Sequence, residues 1–166
     1  MVIGDTTKLS FIIERIPEWE DESFKNGIMF VTVNDSIYPK ELRTATLNCE
    51  FADFLSSRSA FMVPVCDKEL YSKPDEELFQ SIFSETYSDG IESYRFLIPF
   101  HEINDAGHWL FIVTDGENVK ILVGRWDHEA DICSFVEAVE ISMEEFEGIK
   151  TQLLSFAREL TPFDWK

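Results

Sequence analysis

The sequence predicts an α+β fold, a mostly antiparallel sheet with about three packed helices, in a single domain spanning residues 1–166. Three observations predict it. Short β-branched and aromatic runs bounded by turn residues occur from Leu9 to Tyr38 and again from Tyr94 to Ile141. Three other stretches space their apolar residues at helical intervals. The chain is 45% hydrophobic over 166 residues, enough to bury roughly 70% of its unfolded surface, and shows no repeat, linker or low-complexity segment.

Taken in order, Leu9–Ile16 reads as a strand ended by Pro17, which cannot donate to a ladder. An acidic loop, Glu18–Glu22, follows, with one exposed tryptophan, Trp19. Ile28–Val33 is a second strand, and Asn34-Asp35-Ser36 turns it into a short third at Ile37-Tyr38, completing a meander. Leu47, Phe51, Phe54 and Leu55 stand at i, i+4, i+7 and i+8, an amphipathic helix over about Thr46–Ser57 whose stripe packs on that meander. Phe61–Val65 is an edge strand at best, because Pro64 interrupts it. Lys73-Pro74-Asp75-Glu76-Glu77 starts a helix, proline in the first turn and acids at the positive dipole end. Leu78, Phe79, Ile82 and Phe83 are its buried face, and Ser88-Asp89-Gly90 its stop.

Beyond Ser93 the pattern returns to strands at Tyr94–Pro99, His108–Thr114 and Asn118–Trp126, with a hairpin turn at Asp115-Gly116. Ile132–Ile141 has helical spacing at Ile132, Phe135, Val136 and Val139, but its composition and the short preceding connection favour a strand. Ser142 with Glu145 three residues on forms a capping box. Phe146, Ile149, Leu153, Phe156, Ala157 and Leu160 then line one helix face up to Thr161-Pro162.

The charge balance is the unusual property. Thirty-two acids against 14 bases give a net charge of −18. Such a field repels nucleic acid and anionic membranes and suits a basic partner. Cys49, Cys66 and Cys133 are odd in number and without a CxxC pairing, so neither a disulfide framework nor a structural zinc site is expected; Cys49, in the amphipathic helix, and Cys133, in an apolar strand, read as buried inert thiols. No signal peptide and no membrane-spanning apolar run is present, which predicts a cytoplasmic protein.

Catalytic signatures are missing: no serine stands in GxSxG, and the glycines form neither GxGxxG nor GxxxxGK[ST]. His101, His108 and His128 are the only basis for an enzyme, with a metal held near Glu102, Asp105, Asp127 and Glu129, but their spacing matches no ligand motif. Polar loop histidines beside turn acids are the plainer reading. No catalytic residue, metal or cofactor is therefore assigned.

Acid distribution is more informative. Six acids and no base lie between Lys73 and Arg95, and eight acids and no base between Arg125 and Lys150. Together with the loop at 18–22 they predict a negative surface around an aromatic anchor, the composition of a protein-binding site. The candidate contacts are Glu18, Trp19, Glu20 and Asp21, a second set Asp127, Glu129 and Asp131, and Glu144 and Glu145 as extensions. Solvated faces with acids at helix N-termini are the plainer alternative.

The opening Met1-Val2-Ile3-Gly4-Asp5, the strand entry Asn26-Gly27-Ile28-Met29-Phe30 and the segment Ile37-Tyr38-Pro39-Lys40-Glu41 to Ala45-Thr46-Leu47-Asn48 resemble immunity-protein family 42. The resemblance covers about the first 55 residues. It implies a cytosolic antidote in a bacterial polymorphic-toxin or contact-dependent growth-inhibition system, binding the C-terminal domain of a cognate toxin one to one. Many such toxins are nucleases with a basic cleft, which an acidic partner would occlude. An acidic adaptor unrelated to toxins is the alternative in another class.

Overall fold

The computed structural model describes residues 1–87, 94–127, 129–130 and 132–160. Its strands divide into two antiparallel sheets rather than the single sheet expected. The first contains β1 (Val2–Gly4), β2 (Leu9–Arg15), β3 (Asn26–Val33) and β4 (Ser36–Tyr38) in that spatial order, with β5 (Ala45–Thr46) also paired to β3. The second is the meander β6 (His108–Thr114), β7 (Asn118–Asp127) and β8 (Ile132–Ser142). Among the described residues five α-helices accompany them: α1 (Leu47–Phe54), α2 (Lys68–Tyr71), α3 (Asp75–Thr86), α4 (His101–Asp105) and α5 (Met143–Leu160). Three of these, α1, α3 and α5, are the predicted ones.

Local chemistry explains the predicted turns. Asn34 and Asp35 both take positive φ, 50° and 66°, the left-handed pair that suits a tight hairpin between twisted strands. At the β6–β7 hairpin the Asp115 carboxylate accepts from the backbone N–H groups of Glu117 and Asn118, at 2.9 and 2.7 Å, and Gly116 supplies φ +101°. The capping box at α5 is formed as expected. Ser142 Oγ accepts from Glu145 N at 3.1 Å, and Glu145 Oε2 accepts from Ser142 N at 3.0 Å.

Alternation in β6 and β7 gives the second sheet two dry faces. Leu110, Ile112, Ile121 and Val123 point into a large core shared with β2, β3, α1 and α5. Phe111, Val113 and Leu122 point the other way, into a smaller core under α3. Gly124 allows that helix its close approach: a Cβ there would lie 2.4 Å from the Phe79 ring. In the large core the predicted stripe of α1 is wholly buried, and Phe54 packs on Phe11, Phe51, Phe61 and Phe100 at ring-centroid distances of 5.1–5.8 Å.

Four expectations are corrected. Tyr94–Pro99 is not a strand; Phe96, Leu97 and Ile98 are buried beside β6 through two backbone hydrogen bonds, Ile98 N to Leu110 O and Ile112 N to Phe96 O. Phe61–Val65 is a turn with Phe61 in the core, and only Cys66 bridges to Thr114. His101–Asp105 is helix, not loop. Cys49 and Cys66 face solvent and Cys133 is half-buried, because Cys49 sits off the apolar stripe of α1. The predicted stops at Ser88–Gly90 and Thr161-Pro162 lie outside the described residues.

Candidate functional site

The first candidate set sits on the β2–β3 connection, where Pro17–Trp19 forms a 3-10 turn. Glu20 is held from both sides: Arg15 donates Nε and Nη2 to its two carboxylate oxygens, and Lys25 Nζ stands 3.6 Å away. The Arg15 hydrogen bond accordingly keeps the Glu20 carboxyl below its ordinary pKa. Asp21 closes the next turn, accepting from Ser23 N and Phe24 N, both at 2.7 Å. Asn26 Nδ2 donates to the Trp19 carbonyl at 2.6 Å. These bonds fix the loop and leave Glu18, Trp19 and Phe24 directed at solvent, the two aromatics each 47% exposed.

The second set caps the β7–β8 connection. Asp127 accepts from Glu129 N at 2.9 Å and Ala130 N at 3.1 Å, the hydrogen-bond pattern of an aspartate-closed turn. With Arg125, Trp126, Glu129 and Ser134 it lines a surface cleft of about 460 Å³. Asp131 lies outside the described residues, as does His128. At α5, Glu144 is exposed in the first turn, whereas Glu145 both caps the helix and pairs with Lys8 at 2.9 Å. That bond from Lys8 lowers the Glu145 pKa.

These sets are not brought together. β8 joins the Asp127 turn to the start of α5, and eleven residues of strand span roughly 30 Å. Lys8, which holds Glu145, precedes β2; Arg15, which holds Glu20, ends it. Glu20, Asp21, Asp127 and Glu145 serve their own turns and caps, while Glu18, Trp19, Glu129 and Glu144 are exposed without such a task.

The two described histidines, His101 and His108, lie on different elements. His108 begins β6 opposite Arg125, its ring edge-on to Tyr38 at 5.3 Å. His101 begins α4, where Nε2 meets Asp53 Oδ2 at 2.6 Å. That hydrogen bond raises the His101 pKa. Among the described residues no group of three or more His, Cys, Asp or Glu side chains is arranged to hold a metal ion.

Sequence reasoning missed Glu50. It is 3% exposed, and its carboxylate accepts from the backbone N–H groups of His101 at 3.0 Å and Glu102 at 3.2 Å, capping α4 from another helix. Burial pushes its pKa up to about 7 against those two bonds. The signal was present: Glu50 stands at i+3 from Leu47 and i+4 before Phe54, on the apolar stripe itself.

Residues 1–156 match the family model of Immunity protein 42, so the resemblance seen over the first 55 residues extends through nearly the whole chain. The chain belongs to the Immunity protein 42 family. Among solved structures, this immunity protein is similar to CdiI from Burkholderia dolosa AUO158, with a TM-score of 0.74, 17% sequence identity, and 94% of this chain and 99% of that one covered. At that identity the likeness concerns the fold. No curated relative matches the chain. Membership makes its role that of a toxin-neutralising protein and its partner a cognate toxin. No helix among the described residues is long and apolar enough to cross a membrane.

Proposed function

We propose that this immunity protein acts in the cytoplasm by binding the C-terminal domain of its cognate toxin, a basic nuclease, one to one and covering its phosphate-binding cleft. The observation that carries the reading is the net charge of −18 in a chain whose family neutralises toxins. A nuclease must attract phosphates with lysine and arginine, so its cleft is the surface most complementary to this protein. Long-range attraction speeds capture, and buried aromatic contact slows release. No catalysis by the immunity protein is required, because occupancy alone excludes substrate.

The contacts proposed are Glu18, Trp19, Glu20 and Asp21 on one connection, Asp127, Glu129 and Asp131 on another, and Glu144 and Glu145 at α5. Trp19 supports the first set as the anchor, since a half-exposed indole on a loop fixed by these hydrogen bonds loses little further freedom on binding. The test is co-expression with the toxin domain encoded beside it. A stable complex with restored growth is expected; a toxin that neither binds nor is neutralised would refute the reading.

A further inference from the structure

One face of the first sheet is only partly covered within the described residues: Ser10 and Thr32 in its middle are buried, Ile12, Ile28 and Phe30 are half-buried, and Val2 and Ile37 are exposed. Leu9, Phe11 and Ile13 of β2 and Met29, Val31 and Val33 of β3 point into the large core. By alternation Ser10, Ile12 and Glu14, with Ile28, Phe30 and Thr32, point the opposite way. The register aligns Val2, Ile12 and Phe30 in one row across three strands, and Ser10, Thr32 and Ile37 in the next. None of Val2, Ile12, Ile28, Phe30 and Ile37 belongs to either core. The two hydroxyls in the second row are buried and hydrogen-bond each other at 2.8 Å, so Ile37 is what that row presents to solvent.

The ends of the face continue it. Phe30 and Ile37 share a cleft of about 490 Å³ with Leu42, which is 73% exposed. At the other end Asn26, on the same side of β3 as Ile28 and Phe30, holds the Trp19 carbonyl and so sets the Trp19 turn there. Of the ten large hydrophobic residues exposed among the described ones, five (Val2, Trp19, Phe24, Ile37 and Leu42) belong to this sheet or its connections. Scattered exposed apolar residues are ordinary; a concentration on one sheet marks an interaction surface.

We propose that this face of the first sheet, from Leu42 to Trp19, is the central surface on which the immunity protein holds its toxin, and that the toxin presents to it an apolar patch bordered by lysine and arginine. The assignment rests on the toxin-binding reading and says which surface performs it. Charge selects this occupant over a second copy of the chain. Glu14 stands on the face, Glu18 and Glu22 at one end and Asp35 at the other, against one cation among the described residues, Lys40, which lines the Leu42 cleft over the Tyr38 ring; Arg15 and Lys25 are paired to Glu20 and Lys8 to Glu145. Two such faces would oppose acid to acid; a basic rim would meet acid. β2 and β3, of seven and eight residues, are roughly 25 Å long and β1 and β4, of three residues each, roughly 10 Å. At about 4.8 Å spacing they make about two-fifths of the ~800 Å² that one partner contributes to a standard interface, so the Trp19 and Leu42 loops are needed to complete it.

The test measures affinity of the full chain for the toxin domain encoded beside it, with sedimentation of the chain alone. Ile37→Lys with Leu42→Lys, and separately Trp19→Ala, change exposed side chains and should leave the fold intact by circular dichroism. Each is expected to weaken binding roughly 30-fold or more, as loss of a buried apolar anchor does. Asp127→Lys with Glu129→Lys, on the other sheet, should weaken it less than about fivefold. Face variants that bind like the wild type, while the wild type binds tightly, would overturn this assignment and leave immunity standing. A wild-type chain that does not bind the toxin would overturn both. A wild-type dimer dissolved by the face variants, or tighter toxin binding after deletion of residues 161–166, would make a second copy or the chain's own C-terminal segment the occupant and overturn it too.

Discussion

The Tyr38 hydroxyl donates to Glu137 Oε2 at 2.6 Å, joining β4 of one sheet to β8 of the other. Ser36 Oγ donates to the second carboxylate oxygen at 3.0 Å, so one half-buried acid is shared by two residues of the same short strand. Tyr38 is fully buried, and burial, then the bond to Glu137, holds its phenol far above the ordinary range, so it remains a donor at any pH at which the protein is folded. The contact aligns the two sheets beside the proposed toxin-binding face. Tyr38→Phe leaves the carboxylate with Ser36 alone and should cost about 1–3 kcal/mol, measured as a lower urea midpoint with an unchanged slope.

A pH effect is expected at the α1–α4 junction. Glu50 titrates at about 7 in the folded chain because it is buried, against about 4.3 when unfolded. The folded state therefore binds more protons across that interval, and stability from this group falls as pH rises from about 4.5 through 7. His101, also raised, by its bond to Asp53, acts in the same direction as pH passes through its own folded value. Glu50→Gln should remove most of a slope worth about 2–3 kcal/mol, visible in urea midpoints at pH 5 and pH 8.

Gly124→Ala tests how closely α3 approaches the second sheet. The new methyl would lie 2.4–2.8 Å from three ring atoms of the fully buried Phe79. Overpacking of this kind should destabilise by about 1–3 kcal/mol. Phe79→Leu in the same chain should restore part of the loss, since it removes the atoms that collide.

Phe54→Ala should be among the most damaging core substitutions. Its ring meets four other aromatic rings and has no solvent exposure. A loss of about 3–5 kcal/mol is expected, read as a large fall in melting temperature.

Charge and anchor should separate kinetically in toxin binding. Asp127→Lys with Glu129→Lys should slow association roughly three- to fivefold at low salt, flatten its salt dependence and leave dissociation unchanged. Trp19→Ala should do the reverse, raising the dissociation rate. Stopped-flow mixing over a range of ionic strength checks both.

Local signals made much of this legible in the sequence. The strand at His108–Thr114, the turn at Asn34-Asp35-Ser36 and the capping box at Ser142 each rest on neighbouring residues, and each is present as read. What escaped depends on contacts distant in sequence. The segment around Phe96–Ile98 has the composition of a strand but is core packing with only an isolated bridge, Leu97 to Phe111. Helix α4 has no apolar period of its own and is capped by Glu50, 51 residues earlier. Acids that a count alone marks as free, Glu20 and Asp127 among them, are committed to turns, which no count of charges could reveal. The partly exposed face of the first sheet required the division into two sheets, which alternation alone leaves undetermined.

Inhibition at defined stoichiometry tests the central claim most directly. The activity of the purified toxin domain, that of a nuclease on the proposed reading, should be titrated with this chain at a toxin concentration well above the dissociation constant. A linear fall to the background rate with a break at one equivalent is expected, with no effect on an unrelated nuclease. Full toxin activity in the presence of several equivalents, with this chain folded, would contradict it.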